Sequence, residues 1–308
     1  MFRSRIPKFL MAVLLYGSAV ISSGAQELEP RRWSHLPTGS NFLGGGYAYT
    51  SGDIGFDPVL LVKDVELDMH TAVFKYIRTF DWFNRSARFD FVQAYHDARW
   101  SGLLDGTPAT VRRTGLSDSV LRFSMNLLGA PPLQGREFMD YRAGVGESET
   151  IVGLGLAVHL PTGNYLEDRL LNLGANRFTF RPQLGVVHNR GKFSMELTGA
   201  AWIHTENDDF YGGNQLEQDP FYTLQGHFIY TFRPGLWLGT GGAYGFGADS
   251  TLNDVGKDDQ KANLAWGISL GYPITPKFGV KIGYIGMRTQ EDVGADLDTV
   301  SAGISFFW

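Results

Sequence analysis

The sequence predicts an all-β fold: a transmembrane antiparallel β-barrel of about 12 strands, following a cleaved signal peptide. Three observations carry that expectation. The first is the stretch 300–308, where Val300, Ala302, Ile304, Phe306 and Trp308 fall on one face of a strand because side chains alternate at period two. Ser301, Gly303 and Ser305 fall on the other. A strand that ends on an aromatic suits the membrane-facing side of a barrel's closing strand, with Trp308 in the interfacial girdle. The second is the leader: Arg3, Arg5 and Lys8 precede an apolar run over residues 9–21, and Ser23-Gly24-Ala25 supplies a small-residue cleavage site. That run is too short to span a membrane, so residues 1–25 are expected to be removed and 26–308 to form the barrel. The third is a layout of strand-length periodic segments joined by connections that are alternately short and long.

Composition agrees. There is no cysteine, which excludes a disulfide framework and thiolate metal sites. Beyond the leader, 24 basic residues face 32 acidic ones, a balance that offers no basic footprint for nucleic acid. Glycine, at 39 of 308 residues, is nearly twice as frequent as usual. The mean hydropathy of −0.13 fits a barrel, since outward apolar and inward polar residues average out along each strand.

The twelve strand candidates differ in clarity. In residues 119–127, Leu121, Phe123, Met125 and Leu127 alternate with Arg122, Ser124 and Asn126. Val152, Leu154, Leu156, Val158 and Leu160 form a second apolar row; Phe178, Phe180, Leu184 and Val186 form a third, opposite Arg177, Thr179, Arg181 and Gln183. Residues 222–232 and 264–272 repeat the scheme, and weaker candidates lie near 43–52, 64–80, 86–100, 193–205, 235–247 and 277–288. With the closing strand, the count is even, as a barrel with both ends in the periplasm requires.

Tight turns rich in Gly, Pro and Asn, such as Asn189-Arg190-Gly191 and Arg233-Pro234-Gly235, mark the periplasmic end. Polar segments over 205–220, 248–261 and 289–296 mark the exterior. Residues 129–148 are too long for a periplasmic turn and hold either a further strand pair or, the favoured reading, a small periplasmic helix. Residues 165–173 carry Leu166, Leu170 and Leu173 at helical spacing, which predicts a short amphipathic helix lying on the rim or constricting the pore.

The polar faces of these strands place Arg88, Asp90, Arg122, Arg177, Arg181, Glu196 and Lys281 in or near the lumen, with His159 and His227 as neighbours. Such a mixed ring either sets selectivity for polar solutes or pairs across a narrow interior and fills it. The acidic loop residues Asp208, Asp209, Asp258, Asp259, Glu291, Asp292, Asp296 and Asp298 either hold divalent cations near lipopolysaccharide or are solvated carboxylates; they match no defined calcium loop, which favours the second. No Gly-x-Ser-x-Gly elbow, His-Glu-x-x-His helix or paired-carboxylate signature is present, so neither an enzyme nor a cofactor is expected, and no catalytic, cofactor-binding or metal-binding residue is assigned.

One set of motifs is more specific. Leu160-Pro161-Thr162-Gly163, Leu171-Asn172-Leu173-Gly174, Asn176-Arg177-Phe178 and Arg181-Pro182-Gln183-Leu184-Gly185 resemble the MetA-pathway phenol-degradation family of outer-membrane transporters. Arg233-Pro234-Gly235-Leu236-Trp237 and the closing segment from Arg288 to Trp308 look like the same family. The resemblance implies an outer-membrane barrel linked to the uptake of aromatic compounds or their breakdown products, and it carries over no ligand residues. The reading is therefore passive passage of a small hydrophobic or aromatic solute. Its expected partners are outer-membrane lipid and lipopolysaccharide, the barrel-assembly machinery and the solute itself. The alternatives are a closed structural or adhesion barrel working through its loops and, third, a barrel lipid hydrolase using the loop-edge His159.

Overall fold

The computed structural model describes residues 28–55, 62–144 and 148–308; the leader lies outside them. Seventeen strands and one helix follow in order among the described residues: β1 (Asn41–Gly55), β2 (Val62–Trp82), β3 (Arg85–Leu104), β4 (Thr107–Leu116), β5 (Ser119–Leu128), α1 (Gly135–Gly144), β6 (Ser148–Leu160), β7 (Thr179–Arg190), β8 (Phe193–His204), β9 (Asn207–Phe210), β10 (Asn214–Gln218), β11 (Phe221–Arg233), β12 (Leu236–Gly247), β13 (Ser250–Leu252), β14 (Val255–Gly256), β15 (Lys261–Pro273), β16 (Phe278–Thr289) and β17 (Gly294–Phe307).

Twelve of these strands close one antiparallel ring. Following the pairings from β1 through β2, β3, β5, β6, β7, β8, β11, β12, β15 and β16 leads to β17, which pairs back onto β1. The seam runs in continuous register from Phe42 opposite Phe307 to Gly55 opposite Gly294. Asn41 and Trp308 extend it by exchanging backbone N–H···O bonds of 3.0 and 3.1 Å. Closure leaves no free edge, the condition for strands to sit in hydrocarbon.

Each barrel strand alternates buried and exposed residues, and the exposed row is apolar. Leu154, Leu156, Leu184, Leu224, Phe228, Leu264, Ile268, Ile282 and Ile304 are all among the exposed large hydrophobics. A continuous outward apolar belt of this kind is a lipid-facing surface. On β17, Val300, Ala302, Ile304, Phe306 and Trp308 are exposed, while Gly303 and Ser305 are buried.

The short connections cluster at one end, which is periplasmic by the usual asymmetry of such barrels. There α1 occupies the long turn between β5 and β6, in the segment where the length of the connection predicts a helix. At the other end β3 runs beyond β5, still paired with β2, and folds back as a hairpin with β4. The polar segments read as plain loops contain β9, β10, β13 and β14, which pair into a separate four-stranded sheet.

The segment 165–173 forms no helix. Asp118 accepts backbone N–H bonds from Gly163 and Ala175, both 2.9 Å, and the Asn172 side chain bridges the Leu166 amide and the Leu166 and Arg169 carbonyls. Side-chain bonds thus take the backbone groups that helix formation needs, and the loop folds so that Leu173 is buried. Burial pushes the Asp118 carboxyl up, against the pull of those backbone amides.

Candidate functional site: a filled, stratified lumen

Inward-facing side chains sort by height into three layers. At the extracellular end, Leu67 and Met69 of β2, Ala98 and Trp100 of β3, Met287 of β16 and Leu297 of β17 pack into one buried apolar cluster. Leu173 of the folded extracellular loop joins that cluster from above, with Leu171 against it. The middle layer is charged. Lys75, Arg88, Asp90, Arg122, Arg181, Glu196 and Lys281 are all buried there. At the periplasmic end Phe42, Ile77 and Phe307 form a further apolar contact with Leu36.

The residues that tie these layers together precede β1. Residues 28–40 run inside the ring, with Leu28, Glu29, Arg32, Trp33, His35 and Leu36 buried. Leu28 sits in the extracellular apolar cluster. Glu29 lies among the wall cations, with an oxygen 2.6 Å from Arg122, 3.4 Å from Lys75 and 3.9 Å from Arg181. The Arg31 backbone amide donates to Glu196 at 2.7 Å. Arg32 donates to Asp90 at 2.8 Å and also to Ser124, while Arg88 donates to the same Asp90 oxygen at 3.0 Å. Buried charges require such pairing, because an unpaired ion in the interior carries a large desolvation penalty.

Trp33 shows why the lumen face is rich in glycine. A Cβ at Gly185 would lie 1.8 Å from the indole Nε1, and one at Gly153 would lie 2.1 Å from the ring. Only a residue without a side chain leaves room for the indole against these strands. The indole N–H donates to Thr198 Oγ1 at 2.9 Å. His35 then meets the periplasmic helix: its ring packs edge-on against Phe138 and Tyr141 of α1, and its Nε2 lies 2.7 Å from the Pro131 carbonyl oxygen. Burial holds the His35 ring down at a pKa of about 4.

Six of the seven polar residues singled out from the sequence therefore lie in the interior middle layer. Arg177 does not: it precedes β7, at the extracellular rim, where its guanidinium donates to Gln218 of β10, and burial lowers its pKa to about 10. The period-two row that included it continues beyond the strand into the loop, so periodicity alone extended β7 too far. His227 is buried in the same interior and His159 packs against Trp202. Sequence reasoning did not single out Lys75 of β2 nor, in the segment, Glu29, Arg31, Arg32 and Trp33. The segment's signal was a charged stretch ending in tryptophan where an ordinary lead-in to a first strand needs neither.

A small void borders Leu28 and Pro30 and is lined on the wall side by His227, Lys281, Ser269 and Gly241. A second lies by Arg181, Trp202, Gln225 and Ala243; Arg181 stacks over the Trp202 ring at 4.4 Å. The interior is thus filled but incompletely, with free volume beside the segment.

The COG4313 outer membrane channel from Pseudomonas putida F1 has a similar fold, with a TM-score of 0.75 and 20% identity over 92% of this chain and all of that one. The β domain of the Bordetella autotransporter BrkA also matches, with a TM-score of 0.47 and 9% identity over 87% of this chain and 100% of that one. So does the KdgM porin, with a TM-score of 0.42 and 11% identity over 85% and 98%. No curated protein sequence matches the chain. A closed twelve-stranded barrel with an apolar belt places the chain in the outer membrane of a Gram-negative bacterium. The family model described as "Putative MetA-pathway of phenol degradation" matches residues 41–301, nearly the whole barrel, and the chain belongs to that family.

Proposed function

We propose that this barrel mediates passive passage of small hydrophobic or aromatic compounds across the outer membrane. The observation that carries the reading is the apolar layer inside its extracellular half, formed by Leu67, Met69, Trp100, Met287 and Leu297 under Leu173. A pore for hydrophilic solutes has a polar, water-filled interior, whereas an apolar lining favours solutes that lose little on leaving water. The driving force is the solute's gradient, since no nucleotide-binding motif appears in the sequence. On this reading the chain's partners are the solute and, for its insertion, the barrel-assembly machinery.

A second reading has its own support. The segment 28–40 fills the middle of the lumen, which suits a closed barrel acting through its outer sheet and loops. Uptake separates the two. Cells with an intact lipopolysaccharide leaflet should take up radiolabelled toluene several-fold faster when they express the wild-type chain. Expression of a folded Met69→Glu/Met287→Glu variant should give no such gain. Equal uptake with and without the wild-type chain would reject the transport reading and leave the closed barrel.

A further inference from the structure

The wall of the middle layer carries more positive than negative charge, and the segment adds one carboxylate, Glu29, beside its own Arg31 and Arg32. Lys75, Arg88, Arg122 and Arg181 project from the strands against Asp90 and Glu196, all of them buried. One carboxylate from outside the wall, Glu29, collects three of those cations within 3.9 Å. Arg32 of the same segment adds a fourth at 3.8 Å. Its neighbour Leu28 is embedded in the apolar layer directly above. Two adjacent residues thus place an apolar group and a carboxylate in two adjoining environments, each built by the wall to receive one of them.

Passage through the lumen requires this segment to move, because its side chains occupy the middle layer from wall to wall. When Glu29 leaves, three buried cations lose their shared counter-ion, a costly state that another anion relieves. A solute with a carboxylate on an apolar body meets both demands at once.

We infer that the pair Leu28–Glu29 occupies the solute site, and that the barrel's preferred cargo is an amphiphilic monocarboxylate. Its carboxylate is received by Lys75, Arg122 and Arg181 and its apolar body by the layer around Leu67, Met69 and Trp100. The inference rests on the proposed passage of apolar compounds and narrows it to their acids, aromatic or aliphatic. It also gives the segment a role: Glu29 competes with the cargo, so the lumen is closed when cargo is absent and yields to it when present.

Binding to the full-length barrel in nanodiscs at pH 7.4, read by calorimetry, tests this with two matched pairs: 4-phenylbutyrate against 4-phenyl-1-butanol, and octanoate against octanol. Glu29→Gln removes the competing charge and should tighten binding of the acids by about tenfold while leaving the alcohols unchanged. Lys75→Gln, which removes a wall cation, should weaken the acids by a similar factor and spare the alcohols. A gain confined to one acid assigns the cargo as aromatic or aliphatic. If acids and alcohols shift together in Glu29→Gln, or the acids do not shift at all, Glu29 only fastens the segment and the inference fails, while passage of neutral apolar compounds stands. If no variant binds either member of a pair, both readings fall. Each variant's barrel is checked by a gel band that migrates differently before and after boiling, and Glu29 lies outside the strands, so ring closure does not depend on it.

Discussion

The tightest fit in the molecule is between an indole and two missing side chains. Trp33 lies against Gly153 and Gly185 with no room for a Cβ at either. Placing a branched side chain at Gly185 should therefore expel the indole, not dent the barrel, because the strand's pairing uses only backbone atoms. In planar bilayers Gly185→Val is expected to show at least a several-fold higher single-channel conductance than wild type. Conductance at the wild-type level would mean that the segment stays docked without Trp33. The same residues show what sequence patterns can and cannot convey. Gly153, Gly155 and Gly185 were readable as a small inward face, since they alternate with Leu154, Leu156 and Leu184. What they make room for was not readable, because period two describes a strand's two faces and is silent about a distant segment laid across one of them. Arg122 and Asp90 were likewise legible as inward charges, yet their partners, Glu29 and Arg32, sit 93 and 58 residues away.

Among the elements, the twelve barrel strands were legible and the connections much less so. An apolar row facing lipid and a polar row facing inward is a constraint felt at every second residue of a barrel strand. Loops obey no such rule. Thus the leucine spacing of residues 165–173 suggested a helix, while Asp118 and Asn172, through bonds no periodicity encodes, impose an irregular fold. α1 was anticipated from the length of its connection, not its pattern. The contact of α1 with the segment has a pH signature. His35 is held at about 4, below its ordinary 6.5, because it is buried against Phe138 and Tyr141. Docking therefore favours the neutral ring: its contribution is complete above pH 6.5 and is lost as pH falls from there toward 4. Such a shift corresponds to about 3 kcal/mol at the acid limit. Protease sensitivity of the segment, assayed on the periplasmic side, should rise over that window in wild type. His35→Gln, which cannot take up a proton, should flatten the rise; an unchanged profile in that variant would assign the transition to other groups.

At the scale of the whole molecule, two surfaces of opposite character share one wall. The outer surface answers to lipid and the inner surface to a filled, charged interior, so substitutions on alternate residues of a single strand should act through different physics. Ile304→Arg on β17 puts a charge on the exposed apolar face, where an arginine near the bilayer midplane costs about 2–4 kcal/mol. Urea unfolding in lipid bilayers should report a loss of that size. A loss below 1 kcal/mol would place Ile304 outside the hydrocarbon. The buried charge layer also explains why the chain's acidic excess is not a property of its interior: the lumen wall is cationic, and the acids lie mainly in the extracellular segments.

The seam between β1 and β17 has a bearing on how the protein is assembled. The strand that seals the ring is contributed by residues 294–307, and the segment that fills it by residues 28–40, which immediately precede the strand it is sealed against. These contacts span nearly the whole chain, so they form after most local pairings. The whole segment, with its buried arginines and an indole wedged between strands, has more to desolvate and place than its Leu28–Glu29 end alone, and is poorly suited to entering a finished, sealed cylinder for the first time. It is far better suited to lying on the growing sheet while that sheet is still open and being wrapped as the last strand comes home. The barrel is in this sense built around its contents, and the order of synthesis, filling first and seal last, is the order that construction requires.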